Sequence, residues 1–266
     1  RRRGAARLLA LTGVPGERAP EWLLGPLDVR RSGPALVVSA RRRLTADVAA
    51  MARRSVRQVR RVLSDWSGRF VIVVPPAAGG LERLLGVAPG TYDAIAAVTS
   101  SVDGTNDRTA PVRVVLNPPV FTSLGSTGAE VVLAHEATHV ATGAATTGMP
   151  LWLIEGFADY VALAREPVPL EVAAGQVLRR VRRQGPPAAL PIAADFSTGA
   201  HGLGAAYEAA WLACRLIAQE HGEAALLRFY RHAQRDGTVG PAFAAVLGTD
   251  ERTFTRRWRR YLLELA

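Results

Sequence analysis

The sequence predicts an α+β fold, on three observations. Short β-branched runs are confined to the first 125 of the 266 residues. From residue 126 onward the apolar residues recur at the 3.6-residue period of helices. The change of pattern falls at one point, near Gly125, so the chain divides into a β-rich N-terminal lobe, residues 1–125, and a mostly helical C-terminal lobe, residues 126–266.

In the first lobe, residues 35–38 and 70–74 read as buried strands, the second stopped by Pro75 and Pro76. Between them, Val48, Met51, Val56, Val59 and Val62 recur at helical spacing after Thr45, which predicts an amphipathic helix with its Arg residues facing water. Residues 81–85 suggest a short helix. Residues 94–98 and 112–116 read as strands, the latter ending at Asn117, Pro118 and Pro119. In the second lobe, helices are expected over residues 126–141, 151–164, 170–182, 205–220, 223–234, 241–246 and 251–265. Gly143, Gly148, Pro150, Gly185, Pro186, Gly222 and Gly240 mark several of the joins.

Composition bounds the function classes. With 48% apolar and 21% charged residues the chain is globular throughout rather than disordered, and long enough to bury a core. The formal charge of +10 raises polyanions as partners. However, all 33 basic side chains are Arg, and their clusters at residues 1–3, 41–43, 179–183 and 256–260 are scattered with few aromatics between them. That pattern reads as solvated faces, so no nucleic-acid partner is expected. Cys214 is the only cysteine and lies in an apolar stretch, which excludes an internal disulfide and predicts a buried, inert thiol. The chain opens at Arg1 without a methionine, so a natural start is expected upstream, with room there for a signal or membrane anchor; no apolar run reaches membrane-spanning length.

The chemistry concentrates in residues 135–139, His-Glu-Ala-Thr-His, an HExxH inside a predicted helix. Two residues four apart lie about 40° from each other around a helix and one turn along it, so both imidazoles can reach one ion. Glu136 lies one step around, beside them. Zinc accepts neutral imidazole nitrogen, and three protein ligands leave a fourth position for a water that a neighbouring carboxylate can deprotonate. The flanks are uncharged on both sides, from Val131 to Ala134 and at Val140 and Ala141, and a buried Glu136 without a metal or partner would be costly.

A third ligand is available in Trp-Leu-Ile-Glu-Gly-Phe-Ala-Asp-Tyr, residues 152–160. Glu155 follows His139 after fifteen intervening residues, enough for a turn to bring a second helix beside the first. Asp159, four residues further on the same face, is placed to accept the other ring N–H of His135 and so fix its tautomer.

These residues resemble the gluzincin metallopeptidases, the thermolysin-like clan, in which HExxH is followed by a Glu on the next helix. Glu-Gly-Phe-Ala-Asp-Tyr at 155–160 is most like bacterial peptidase-like domains of that clan, common in actinobacterial surface proteins. The resemblance covers residues 126–164; beyond them it is one of layout. It implies one zinc ion held by His135, His139 and Glu155, water activation by Glu136, and peptide or protein substrates. It further implies a zincin-like fold with the β-rich lobe above the HExxH helix, and an extracellular or cell-surface location. The strand nearest the cleft, taken as residues 112–116, would pair with an extended peptide by β-addition. Tyr207 matches the place where family members offer a tyrosine to the oxyanion, with His201 in the preceding loop as its rival; His221 and His232 are expected to be solvated. The aminopeptidase branch has a Gly-rich motif upstream of HExxH, which residues 121–130 lack, so an endopeptidase is expected rather than an aminopeptidase. Two other readings stand beside this one: a zinc-stabilised binding or sensory module without turnover, and a basic nucleic-acid-binding protein.

Overall fold

The computed structural model describes residues 18–105, 107, 109–164 and 168–266; the predicted Arg cluster at residues 1–3 lies outside them. The fold is α+β. Five strands, β1 (Asp28–Ser32), β2 (Ala35–Ser39), β3 (Phe70–Val74), β4 (Ala97–Ser101) and β5 (Val112–Leu116), form one mixed sheet in the order β1-β2-β3-β5-β4. β2, β3 and β5 run parallel, and the outer strands β1 and β4 are antiparallel to their neighbours. The central strands are hydrophobic runs because both of their faces are covered. The long connection that a parallel pair needs is supplied between β2 and β3 by α1 (Arg42–Val62), whose Val48, Ala49, Ala52, Val56 and Val59 are buried with Ala35, Val37, Phe70 and Ile72 of the sheet. The other face carries a smaller cluster of Val73, Val115, Leu81, Leu84 and Leu85, the leucines from α2 (Gly80–Leu85).

Two strand expectations change. β1 is unannounced in the sequence because Asp-Val-Arg-Arg-Ser on an outer strand needs no apolar pattern. The strand expected at residues 94–98 begins three residues later, at Ala97. Residues 91–94 are turn, pinned at Tyr92 by two side chains: Glu82 Oε1 accepts its N–H at 3.4 Å and Asn117 Nδ2 donates to its carbonyl at 3.0 Å.

After β5 the chain is helical: α3 (Pro118–Ser123), α4 (Gly125–Thr142), α5 (Leu151–Leu163), α6 (Leu170–Ala173), α7 (Gly175–Gln184), α8 (Leu203–His221), α9 (Glu223–Asp236), α10 (Gly240–Leu247) and α11 (Glu251–Leu265). Gly125 turns the chain between α3 and α4 with φ +67°, a conformation that disfavours side chains with a Cβ. The single helix expected over residues 170–182 is broken at Ala174, which leaves helical geometry at φ −127°, ψ 17°. One contiguous apolar cluster runs from the sheet through α1, α4, α5 and α8 to α11, so residues on both sides of 125 share a core. Trp152, Phe229, Phe243 and Phe254 pack against one another within it at ring-centre separations of 4.8 to 6.5 Å. No described helix is long and apolar enough to cross a membrane.

Candidate metal centre

α4 carries His135, Glu136 and His139, and its exit is built to bring α5 back beside it. The helix ends on Gly143, at φ +64°, whose N–H bonds the carbonyls of His139 and Val140. A single 3₁₀ turn, Ala144–Thr146, follows, and Pro150 then opens α5 by accepting the N–H groups of Leu153 and Ile154 at 3.0 and 3.3 Å. α5 also lies directly against α8. At Gly156 a Cβ would fall inside the contact radius of the Ala210 carbonyl and 3.1 Å from Cys214 Sγ, so glycine sets how closely the two helices meet. Cys214 is fully buried there, and burial pushes its thiol pKa up, as an inert core thiol requires.

The result is a convergent donor set. One ligand atom from each of His135, His139 and Glu155 lies within 4.8 Å of the others, so the three can hold a metal ion. The two Nε2 atoms are 2.9 Å apart, and Glu155 Oε2 is 3.1 Å from that of His135 and 3.3 Å from that of His139. Asp159, one turn along α5, has Oδ1 2.7 Å from His135 Nδ1, so the ring donates its Nδ1–H there and turns the Nε2 lone pair inward. Burial disfavours an imidazolium at His135, yet the charges and hydrogen bonds of Asp159 and Glu155 outweigh it and raise the pKa well above the usual value. Burial likewise opposes ionisation of Glu155, but His139 and His135 hold its carboxyl far below the normal range. The His135 shift shows that its two carboxylate neighbours favour a positive charge on that ring, and the Glu155 shift that its carboxylate stays ionised beside the imidazoles. The cluster's chemistry, two imidazole nitrogens and a carboxylate oxygen, fits a cation.

The cluster forms the floor of a cleft of about 620 Å³. Ala97, Val98 and Thr99 of β4, with Tyr92 and Ile95 before them, line it together with Ala144, Met149, Leu151 and Ile154, and Phe196 and Tyr207 complete the lining. Among the described residues, no arginine lines it. Glu136 is 6% exposed, and its Oε2 accepts a hydrogen bond from Thr99 Oγ1 at 2.5 Å. Tyr207, the fifth residue of α8, stands with its ring centre 6.2 Å from that of His135 and is held edge-on against Phe196 at 5.2 Å. Burial, and then the charges of Glu155, Asp159 and Glu136, push its pKa up, so the phenol stays protonated and can donate.

The structure therefore brings His135, Glu136, His139, Glu155, Asp159 and Tyr207 together and leaves His201 out. His201 is exposed and lines a different cavity with Arg179, Arg180 and Arg183, because Gly202 turns the chain at φ +90° before α8 and only the later residue enters the cleft. The expected cleft strand is also corrected. β5 is hydrogen-bonded on both sides, to β3 and β4, and has no free edge; β4 is the outer strand and borders the cleft. His221 is exposed, as expected, while His232 is partly buried beside Asp236 at 3.1 Å. Thr99, Tyr92 and Phe196 went unseen in the sequence; a strand register three residues later would have put Thr99 at its middle. No protein-family model matches the chain, and no curated protein is significantly similar to it.

Proposed function

We propose that the chain is a zinc-dependent metallopeptidase of gluzincin type with a zincin-like arrangement, hydrolysing internal peptide bonds in the cleft between β4 and α4. The observation that carries this reading is the convergence of His135, His139 and Glu155, with ligand atoms within 4.8 Å of one another, in the same cleft as Glu136. A mixed set of two imidazoles and one carboxylate suits zinc better than calcium or magnesium, which prefer all-oxygen cages, or copper(I), which prefers sulfur. When bound, zinc supplies Lewis acidity that polarises a carbonyl and lowers the pKa of a neighbouring water.

The chain's own groups divide the remaining work. Glu136 accepts the proton of the attacking water and returns it to the departing amine, base first and acid afterwards. Tyr207 donates its retained O–H to the charge that develops on the carbonyl oxygen. The outer edge of β4, which no other strand pairs among the described residues, offers backbone groups to an extended peptide. Among the described residues, the uncharged walls supply no arginine to bind a terminal carboxylate. Among the described residues, the carboxylates that line the cleft, Glu136 and Glu155, are both committed to the metal site, which leaves none of them to bind a terminal amine. Both absences favour an endopeptidase.

The test is metal analysis of the purified protein combined with digestion of a peptide library. The wild type should carry one zinc ion per chain and cut internal bonds. Glu136→Gln should keep the zinc and lose about 100- to 10,000-fold in turnover, the usual range for a general base. A variant still cleaving at the parental rate would contradict the reading.

A further inference from the structure

We propose that Thr99 is a positioning residue for Glu136, and that it ties the base to the same strand on which a substrate would dock. This inference rests on the peptidase reading for its catalytic meaning, but on β4 alone for its geometry. The side chains of β4 alternate: Val98 packs with the cluster behind the sheet, whereas Ala97 and Thr99 face α4. Thr99 Oγ1 is 2.5 Å from Glu136 Oε2 and 3.4 Å from the Glu136 carbonyl oxygen. The hydroxyl has one proton, and the shorter contact to the carboxylate takes it. A β-branched side chain on a strand has few rotamers, so the oxygen is held at a fixed point rather than swinging to meet its partner.

The backbone of the same residue points the other way. Asn117 N–H donates to the Ala96 carbonyl and Val102 N–H to the Pro111 carbonyl, both at 2.8 Å. In an antiparallel pair such bonds recur at every second residue, so residues 96, 98, 100 and 102 turn their backbone groups to β5, and Ala97, Thr99 and Ser101 turn theirs to the open edge. The Ser101 carbonyl is already taken by Arg18 Nη1 at 2.8 Å. Ala97 and Thr99 are the edge residues that border the cleft. A peptide that adds to this edge therefore bonds the backbone of the residue whose hydroxyl holds the base. Docking and base alignment then share one rigid residue, and the carboxylate is registered to the added strand instead of to α4 alone.

The test compares wild type with Thr99→Val, which keeps the shape and removes the hydroxyl, and Thr99→Ser, which restores it. The first readout is the ¹³C resonance of the Glu136 carboxyl in metal-free protein, assigned by its loss in Glu136→Gln. It should move in Thr99→Val and return towards the wild-type position in Thr99→Ser. The second is peptide hydrolysis by zinc-loaded protein, where Thr99→Val should lower kcat about 10- to 100-fold, the size expected for one hydrogen bond to a charged group, with KM changed less than about 2-fold and zinc content unchanged. Thr99→Ser should recover most of that loss. An unmoved resonance in Thr99→Val overturns the proposal, as does an unchanged kcat in a Thr99→Val protein that carries zinc. A wild type that cleaves nothing, while Thr99→Val still moves the resonance, upholds the positioning contact and removes the peptidase reading instead.

Discussion

Two cavities of nearly equal size touch the first turns of α8, one of about 620 Å³ and the other of about 590 Å³, and they differ in almost everything else. The first is lined by side chains that two buried helices bring against one another, His135, His139 and Glu155, with His135 oriented by Asp159. The second is walled by Arg179, Arg180 and Arg183 on the outer face of α7, together with Gln176, Gln184 and His201, all exposed to solvent. The difference is one of desolvation and orientation rather than volume. Polar groups that the fold withdraws from water must satisfy one another or hold a ligand, whereas solvated arginines are what an amphipathic helix leaves on its outer side.

Substitutions in the two places sharpen that contrast. After Glu136→Gln, the largest effect is expected at Tyr207→Phe, which keeps the packing on Phe196 and removes only the O–H; turnover of zinc-loaded protein should fall about 100- to 1,000-fold in steady-state assays with little change in metal content. Asp159→Asn should weaken zinc binding about 10- to 100-fold in a chelator competition, because His135 loses the carboxylate that orients it. Gly156→Ala should cost about 1–3 kcal/mol in denaturant unfolding, since its methyl group forces α5 away from the Ala210 carbonyl on α8. At the small end, Arg180→Ala and His201→Ala should leave zinc content unchanged, turnover within about 2-fold and stability within about 0.5 kcal/mol. A large loss of turnover at either position would break the distinction between the cavities.

The helical side of the cleft was legible in the sequence and the strand side was not, for a physical reason. His135, His139, Glu155 and Asp159 lie on helices whose spacing alone determines which side chains share a face, so i and i+4 could be read directly. The contact between Thr99 and Glu136 joins residues 37 apart and depends on the register of β4, which two side chains outside the strand, Glu82 and Asn117, set by pinning the turn at Tyr92. Strand order is equally non-local. Residues 112–116 are the more hydrophobic of the last two strands because they are central, and the weaker pattern of Ala97–Ser101 is that of the outer strand beside the cleft. Tyr207 and His201 are six residues apart, and the turn at Gly202 separates them, so that Tyr207 stands beside His135 and His201 does not.

The central claim, that these three side chains hold one metal ion, is tested most directly by anomalous diffraction at the zinc edge on crystals of the zinc-loaded protein. One peak is expected within about 2.0–2.2 Å of Nε2 of His135, Nε2 of His139 and a carboxylate oxygen of Glu155. A zinc-loaded crystal with no peak there, or with its peak at other side chains, would contradict the assignment.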